Sequence, residues 1–354
     1  MNRTARSLKG GALLALIVLA IGALAMAVGE SAQIRVVNFF FINMIIVLGL
    51  QVTMGNSGVV NLGHISFMGI GAYAAAVLAI PVAIKTVTHP TAPWGLESFT
   101  LSPLLAGVVG VALSTFLAWL SGLVLTRQSG IAASIATLAL LVIVHTVIAN
   151  WTDVTRGLVA IYGIPMVSNI VMLMFITAGV VIVVRLFRDS KMGVQLRASG
   201  EDVLAASSMG VNVRRLRLIA WVLGSAIIAL AGVLYAYLIG TMSPKSFYFE
   251  AVFLTLAMLI LGGMRSVSGA VIGSIVVTIG FELMRYFENG PEIFGLDLPE
   301  MLGLTGFFLG GIIVLFMALR PSGLVGDEEL DELIARRRRE RKERVAGSGA
   351  AASS

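Results

Sequence analysis

The chain has 354 residues, of which 58% are hydrophobic and only 12% are charged, and its formal net charge is +6 at pH 7. Because soluble globular domains carry roughly 25% charged residues, a soluble globular protein is excluded and lipid is the expected solvent for most of the surface. The chain has no cysteine, which excludes disulfides, thiolate metal sites and cysteine catalysis. The basic residues lie between apolar stretches, a pattern that indicates membrane topology rather than nucleic-acid binding.

The apolar stretches have the length of membrane-spanning helices, which need about 20 mainly apolar residues. In chain order the clear ones occupy residues 11–29, 36–54, 65–84, 104–125, 131–151, 164–187, 218–239 and 301–319. Two shorter stretches between residues 251 and 284 are separated by a glycine pair, and we interpret them as a tight pair of spans. The sequence therefore predicts an all-α polytopic membrane protein with about ten transmembrane helices and glycine-rich breaks.

The positions of Lys and Arg predict the orientation of these spans, because cytoplasmic loops carry the excess of positive charge. With the N-terminus inside, all but five of the 25 Lys and Arg residues fall on the cytoplasmic side. The five on the outer side are Arg35, Lys85, Arg156, Lys245 and Arg285. Both termini are therefore predicted to be cytoplasmic.

The two ends of the chain need separate interpretation. A basic start, an apolar run and small residues at 25–27 are also features of a cleavable signal peptide, so that alternative stays open for the first span. Residues 1–325 are predicted to form the transmembrane domain. Residues 326–354, first acidic and then basic, are predicted to form a cytoplasmic tail that is solvated near anionic lipid and partly disordered.

Polar side chains are concentrated around the second and third spans, and such residues tend to face a bundle interior or a pathway. They are Asn43, Gln51, Thr53, Asn56, Ser57, Asn61, His64 and Ser66. Glycines are interleaved with them between residues 55 and 71, and a second glycine-rich break occupies residues 262–273. Two interrupted segments in the two halves of a chain indicate a central transport site. Tight helix packing is the alternative for each single glycine.

The titratable residues within the spans do not indicate a metal or coupling-ion site. His64, His89 and His145 are far apart in the sequence, so no metal site is predicted, and a lone histidine is more often a hydrogen-bonding residue than a proton relay. Glu282 and Arg285 lie three residues apart on one helix face and are expected to pair. No span has paired acidic groups at its centre, which argues against coupling to protons or sodium ions.

One long basic loop, residues 185–217, contains the signals of a short helix. Ser199 followed by Asp202 resembles a capping box, and Gly210 suits the left-handed residue after a helix end. A helix this short is marginal alone in water, so we interpret it as a segment that docks on a partner through its small side chains. An ordinary interhelical loop whose arginines only set the topology is the alternative.

Several stretches of the chain resemble the LivM-type family of branched-chain amino acid permeases, which are subunits of ATP-binding-cassette importers. The stretches are NLGHISFMGIGAY at 61–73, EDVLAASSMGVN at 201–212, LRLIA at 216–220, AGVLYA at 231–236, SPKSF at 243–247, LGGMRSVSG at 261–269 and RPSGL at 320–324. They occur in the family's order from residue 61 to residue 324. Residues 155–165 and the pair Met264-Arg265 depart from the family's pattern, which leaves the exact substrate open.

The resemblance implies partners at a bacterial inner membrane: a sister permease, two ATP-binding-cassette ATPase subunits and a periplasmic substrate-binding protein. The sequence contains no phosphate-binding GxxxxGK[ST] loop. This subunit is therefore expected to be no enzyme and to hold no cofactor, and ATP is expected on the partners. The residues expected to couple to the ATPase are Glu201, Asp202, Ala205, Ala206, Gly210 and Asn212. Those expected to line the substrate pathway are Asn56, Asn61, His64 and Ser66.

The predicted function is that of an importer permease that translocates branched-chain amino acids. A permease for urea, short amides or another small polar solute is the first alternative, and an ion-coupled secondary transporter is the second. A membrane-embedded enzyme is disfavoured, because the sequence offers no paired catalytic residues at one membrane depth.

Overall fold

The computed structural model describes residues 3–88, 93–290, 292–293, 296–297, 301, 303–319, 323–326, 329–333 and 336. The helices are α1 (Arg3–Val28), α2 (Ser31–Leu50), α3 (His64–Ala79), α4 (Val82–Thr88), α5 (Pro103–Leu125), α6 (Gly130–Asn150), α7 (Thr152–Thr155), α8 (Ile170–Asp189), α9 (Lys191–Glu201), α10 (Val203–Ser208), α11 (Val213–Ile239), α12 (Phe249–Gly262), α13 (Val267–Glu288) and α14 (Leu304–Leu319). A π-helical turn, Gln51–Gly55, extends α2.

Two short antiparallel strand pairs complete the described secondary structure. β1 (Ile161–Tyr162) pairs with β2 (Thr241–Met242), so that Ile161 faces Met242 across the ladder. β3 (Glu292–Ile293) pairs with β4 (Leu296–Asp297). The first pair joins the loop before α8 to the end of α11, and it therefore ties together segments that lie far apart in the sequence.

Within the described residues, eight helices are long and apolar enough to cross a membrane. The pair α3–α4, bent by 113°, adds a ninth if it forms one span. The bend falls at Pro81, and Ile80 before it takes an extended backbone, as a residue before proline prefers. α14 has only 16 residues and is not among these eight. The all-α polytopic class is thus confirmed, and the count of ten spans stays a prediction.

Glycines allow α3 to lie in backbone contact with its neighbours at the centre of the bundle. A Cβ atom on Gly71 would lie 2.7 Å from the carbonyl oxygen of Ala229 in α11, and one on Gly110 of α5 would lie 2.8 Å from that of Gly71. Between α12 and α13, a Cβ on Gly262 would lie 1.9 Å from the carbonyl oxygen of Gly269. For these glycines the packing alternative is confirmed, because a side chain would push the helices apart.

The loops gather on two faces of the bundle. On one, which we call the basic face, Ser7 donates a hydrogen bond to the carbonyl of Arg185, and Arg217 donates one to the carbonyl of Gln128. On the other, which we call the far face, the β1–β2 pair lies near Tyr237, whose hydroxyl donates to the carbonyl of Pro103 at 2.7 Å. The helices α9 and α10 and the α12–α13 turn belong to the basic face.

The segment after α14 returns to the basic face instead of being solvated as its acidic sequence suggested. The amide of Leu324 donates to the carbonyl of Leu261 at 2.8 Å, and that of Val325 donates to the carbonyl of Gly262 at 3.1 Å. These bonds satisfy carbonyls at the end of α12 that have no partner within the helix. The disorder predicted for residues 347–354 lies outside the described part of the chain.

Candidate functional site

The predicted docking segment consists of two helices, α9 and α10, and its cap differs from the expected one. Asp202 takes an extended backbone between them, and its carboxylate accepts hydrogen bonds from the amides of Leu204 at 2.8 Å and Ala205 at 3.0 Å. Ser199 lies buried within α9 and donates its hydroxyl proton to the carbonyl of Leu196. The predicted cap at Ser199 is therefore wrong by three residues, because Ser199 already belongs to the preceding helix.

The predicted stop at Gly210 is confirmed. Gly210 has φ +81°, a left-handed conformation that glycine adopts without strain. Its amide donates to the carbonyl of Ser207, and the amide of Val211 donates to that of Ala206. This double closure is the Schellman arrangement at a helix end. Asn212 then caps α11, because its side-chain oxygen accepts a hydrogen bond from the amide of Arg215 at 3.0 Å.

The outward surface of α10 carries the small side chains of Ala205, Ser207 and Ser208, and two large apolar side chains lie beside them. Leu204 is 79% exposed and Met209 is 84% exposed, whereas Ala206 is buried against the bundle. Exposed large apolar side chains of this kind mark an interaction surface when they are adjacent. Leu204 and Met209 are functional candidates that the sequence interpretation missed, although both stand within the EDVLAASSMGVN stretch. Ala205 is exposed beside them, and Ala206 is a packing residue.

Glu201 joins the end of α9 to the turn between α12 and α13. Its carboxylate forms a close ion pair with the guanidinium of Arg265, and both side chains are exposed. Exposed ion pairs contribute about 0–1 kcal/mol, so this contact aligns the two segments more than it stabilises the fold.

Arg197 joins α9 to the candidate pathway. Its guanidinium donates to the side-chain oxygen of Asn56 at 2.9 Å and to the carbonyl of Arg188 at 2.7 Å. Burial, reinforced by the positive charge of Arg188, lowers the pKa of Arg197 from its ordinary value to about 10. The side chain therefore remains charged at neutral pH, and its hydrogen bond links α9 to Asn56.

The two glycine-rich breaks meet at the basic face. A Cβ atom on Gly55, at the end of the π-helical turn, would lie 2.1 Å from the carbonyl oxygen of Met264. Arg188 holds the second break from the other side by donating to the carbonyl of Arg265 at 3.0 Å. Single π-helical turns occur mostly at functional sites. The two breaks therefore lie against each other, and their contribution to a central transport site stays a prediction.

Asn61 and His64 form a second part of the candidate pathway. The Nδ1 atom of His64 lies 3.0 Å from the carbonyl oxygen of Asn61, and Nε2 lies 2.7 Å from the hydroxyl of Thr255 in α12. A carbonyl only accepts, so Nδ1 carries a proton. The hydroxyl of Thr255 also lies 2.7 Å from the carbonyl oxygen of Ala251, to which it donates within α12. His64 is fully buried and links the start of α3 to α12.

The structure brings Asn61 and His64 into contact. The other two predicted pathway residues, Asn56 and Ser66, do not share this contact. Asn56 is buried, and its amide nitrogen donates to the carbonyls of Gln51 and Val52 at the end of α2. The hydroxyl of Ser66 is buried without a hydrogen-bond partner among the described residues. Both polar atoms of the Gln51 side chain are likewise buried without a hydrogen-bond partner among the described residues.

A buried ion cluster beneath α9 was not anticipated from the sequence. Glu329, with no exposed surface, accepts hydrogen bonds from the amides of Val267 and Ser268 at the start of α13. The same carboxylate pairs with Arg185 at 2.8 Å and with Arg188 at 2.9 Å. A carboxylate at a helix N-terminus is also favoured by the helix dipole. The C-terminal segment thereby clasps α8 and α13 together.

Comparison with known proteins agrees with these features. The profile of the family described as "Branched-chain amino acid transport system / permease component" matches residues 32–317. The chain is 29% identical, over 347 aligned positions covering 88% of this chain and 74% of the relative, to the high-affinity branched-chain amino acid transport system permease protein LivM of Escherichia coli.

Relatives of a second type are also similar to the chain. A probable branched-chain amino acid transport permease protein LivH of Methanocaldococcus jannaschii is 27% identical, over 80% of this chain and 88% of the relative. The LivH permease of Escherichia coli is 30% identical over 41% of this chain and 43% of the relative. No solved structure matches the chain. Because the family profile covers most of its length, the chain belongs to the family of permease components of branched-chain amino acid transport systems.

Proposed function

We propose that this chain is the permease subunit of an ATP-driven importer and that it translocates branched-chain amino acids across a bacterial inner membrane. The observation that carries the proposal is the contact of Arg197 with Asn56, which connects a surface helix pair to the candidate pathway. The substrate follows from the names of the relatives, which are branched-chain amino acid permeases. ATP hydrolysis belongs to separate subunits in this proposal.

The proposed coupling runs from the surface of α10 to the two breaks. An ATPase subunit binds Leu204 and Met209, and its closure displaces α10 and α9 together. Glu201 transfers that displacement to Arg265 in the α12–α13 turn, and Arg197 transfers it to Asn56. Because the breaks lie against each other, both respond to one movement. The pathway then alternates between access from one face and access from the other.

The proposal extends to topology and partners. The basic face lies in the cytoplasm with both termini, in agreement with the excess of Lys and Arg there. The chain crosses the membrane ten times, counting α3 with α4 as one span and α14 as another. A sister permease completes the membrane domain, two ATPase subunits bind the basic face, and a periplasmic substrate-binding protein delivers the amino acid to the far face.

Purification in mild detergent through a tag on this chain tests the proposal. We expect two further kinds of subunit, an ATPase and a second permease, and ATP-dependent uptake of L-leucine after reconstitution with the binding protein. Uptake that continues without ATP while an ion gradient persists would contradict it and favour a secondary transporter. Uptake of urea but not of leucine would keep the ATP-driven mechanism and replace the substrate.

A further inference from the structure

A cavity of about 340 Å³ opens towards the far face between α2, α3, α11, α12 and α13. Ligand sites for small molecules have volumes of about 300–1,000 Å³ and combine an apolar lining with a few placed polar groups. Of the polar residues concentrated around the second and third spans, only Asn43 lines this cavity, and no residue of α9 or α10 does. It lies on the side of the bundle opposite α10.

The mouth of the cavity carries charges of both signs. Lys245 precedes α12, Glu250 lies in its first turn, and Glu282 and Arg285 lie near the end of α13. Arg285 and Glu282 are only loosely paired, at 3.9 Å, and both side chains remain substantially exposed. Their charges are therefore accessible to a ligand that carries a positive and a negative group close together.

The interior of the cavity is mainly apolar with one polar contact in its wall. Ile46, Met68, Leu254 and Met258 line its walls. Met258 lies eight residues after Glu250, which is about 12 Å deeper along α12 at about 1.5 Å per residue. Thr255, one turn nearer the mouth, also lines the cavity and is bonded to His64, so the polar contact between α12 and α3 forms part of the wall.

A separate and much smaller cavity lies towards the basic face. The cavity there, lined by Asn61, Thr137 and Trp221 among others, measures about 40 Å³. On the far-face side, by contrast, a second cavity of about 880 Å³ shares Val36, Phe39, Glu282 and Arg285 with the first. The charged mouth is therefore reached from the far face and lies between a wide vestibule and an apolar chamber.

We propose that this cavity is a substrate-binding chamber for a zwitterionic α-amino acid with an aliphatic side chain. Glu250 and Glu282 bind the α-ammonium group, Lys245 and Arg285 bind the α-carboxylate, and the side chain enters the apolar interior. The inference rests on the proposed import function and adds to it the residues that recognise the substrate. It also places His64 outside the chamber lining, behind Thr255, to which it is bonded.

Binding of radiolabelled L-leucine to the full chain in lipid nanodiscs tests the chamber. Two competitors each lack one charge: leucinol has no carboxylate, and 4-methylpentanoate has no ammonium group. We expect both to compete at least about tenfold more weakly than L-valine, because each leaves charged groups at the mouth without a partner. Glu250→Gln with Glu282→Gln removes the penalty against 4-methylpentanoate. Lys245→Gln with Arg285→Gln removes the penalty against leucinol.

Arg156→Gln is the matched control, because Arg156 is a far-face cation outside the chamber lining, and it leaves every competition unchanged. Equal competition by all three compounds, leucine binding unaffected by the four substitutions, or no saturable leucine binding overturns the inference. The proposed function fails separately. ATP-dependent leucine import with an unchanged KM in the two double variants keeps the function and rejects the chamber. Leucine binding with the expected discrimination but without ATP-dependent import keeps the chamber and rejects the proposed function.

Discussion

Arg197 is the side chain through which the surface helices reach the interior of the bundle. Its two hydrogen bonds go to acceptors on different elements, the side chain of Asn56 after α2 and the carbonyl of Arg188 in α8. The planar guanidinium of arginine presents several donors in a fixed geometry, which the ammonium of lysine does not. The position therefore requires arginine for geometry as well as for charge.

Replacing Arg197 tests this link. In Arg197→Gln we expect leucine uptake to fall about tenfold while ATP hydrolysis by the complex continues, because Asn56 loses its charged donor. Arg214→Gln is the control, since Arg214 is an exposed basic-face arginine with one long bond of 3.4 Å to the carbonyl of Leu123. Uptake and ATPase rate are measured in parallel in proteoliposomes to show whether Arg197 couples the two. Equal loss of both activities would show that Arg197 only supports the fold.

Arg197→Lys adds a dependence on pH. Burial and the charge of Arg188 lower the pKa of Arg197 to about 10, so the native side chain keeps its proton through the working range. Lysine has a lower ordinary pKa, about 10.4, and the same burial lowers it further. Uptake by Arg197→Lys should therefore decline between about pH 7 and pH 9, as the ammonium loses its proton, while the native protein stays active. A flat profile in the variant would contradict this.

Gly210 offers a comparison between two glycines of the same geometry. Gly210 and Gly130 both have positive φ, +81° and +58°, and a Cβ atom on either would meet nothing within 4 Å. Alanine at each position therefore introduces only backbone strain, about 1–2 kcal/mol. We expect equal losses of thermal stability but a loss of ATP-coupled uptake only in Gly210→Ala, because Gly130 lies outside the coupling helices. Normal coupling in Gly210→Ala would reject the role of α10.

At the scale of elements, α10 presents an apolar surface that its own bundle does not cover. Leu204→Glu places a charge at the centre of this surface without disturbing a buried group, since Leu204 is 79% exposed. We expect the variant to insert and fold normally but to lose the ATPase on purification. The control is Lys191→Glu, at the start of α9. Leu113→Glu is unsuitable as a control because α5 is proposed to lie in the membrane. Retention of the ATPase by Leu204→Glu would place the interface elsewhere.

The C-terminal clasp is a second element with a measurable contribution. Glu329→Gln leaves Arg185, 1% exposed, and Arg188 with less compensating charge in a buried site, which typically costs about 3–5 kcal/mol. Glu201→Gln removes only an exposed partner of Arg265, worth about 0–1 kcal/mol. Thermal unfolding in detergent should therefore show a much larger fall in Tm for Glu329→Gln. Similar falls in both variants would mean that the clasp does not stabilise the basic face.

Local signals in the sequence were enough to predict some of these elements. The left-handed turn at Gly210 follows from glycine's freedom at positive φ, and the apolar stretches follow from the thickness of a bilayer. The choice between Ser199 and Asp202 as cap depended on which residue leaves the helical backbone, and this was decided by the packing of α9. The sequence predicts a solvated Glu329, because its partners Arg185 and Ser268 lie far away along the chain and give no local signal.

For the molecule as a whole, the cavities agree with one state of an alternating-access cycle. The far-face cavities of about 340 and 880 Å³ contrast with the cavity of about 40 Å³ at the basic face. The contacts of Arg197 and Arg188 with the two breaks lie on the narrow side. Opening towards the basic face therefore requires these contacts to move, which is the displacement assigned to the ATPase.

The absence of native cysteine makes the orientation of the two faces directly measurable, because one introduced thiol is the only one in the chain. Ser98→Cys lies exposed on the far-face loop before α5, and Ser208→Cys lies exposed at the end of α10. In intact cells a membrane-impermeant maleimide should label Ser98→Cys at once and label Ser208→Cys only after permeabilisation. The unsubstituted chain is the control and stays unlabelled. Labelling in the opposite order would invert the proposed topology and place α10 out of reach of a cytoplasmic ATPase.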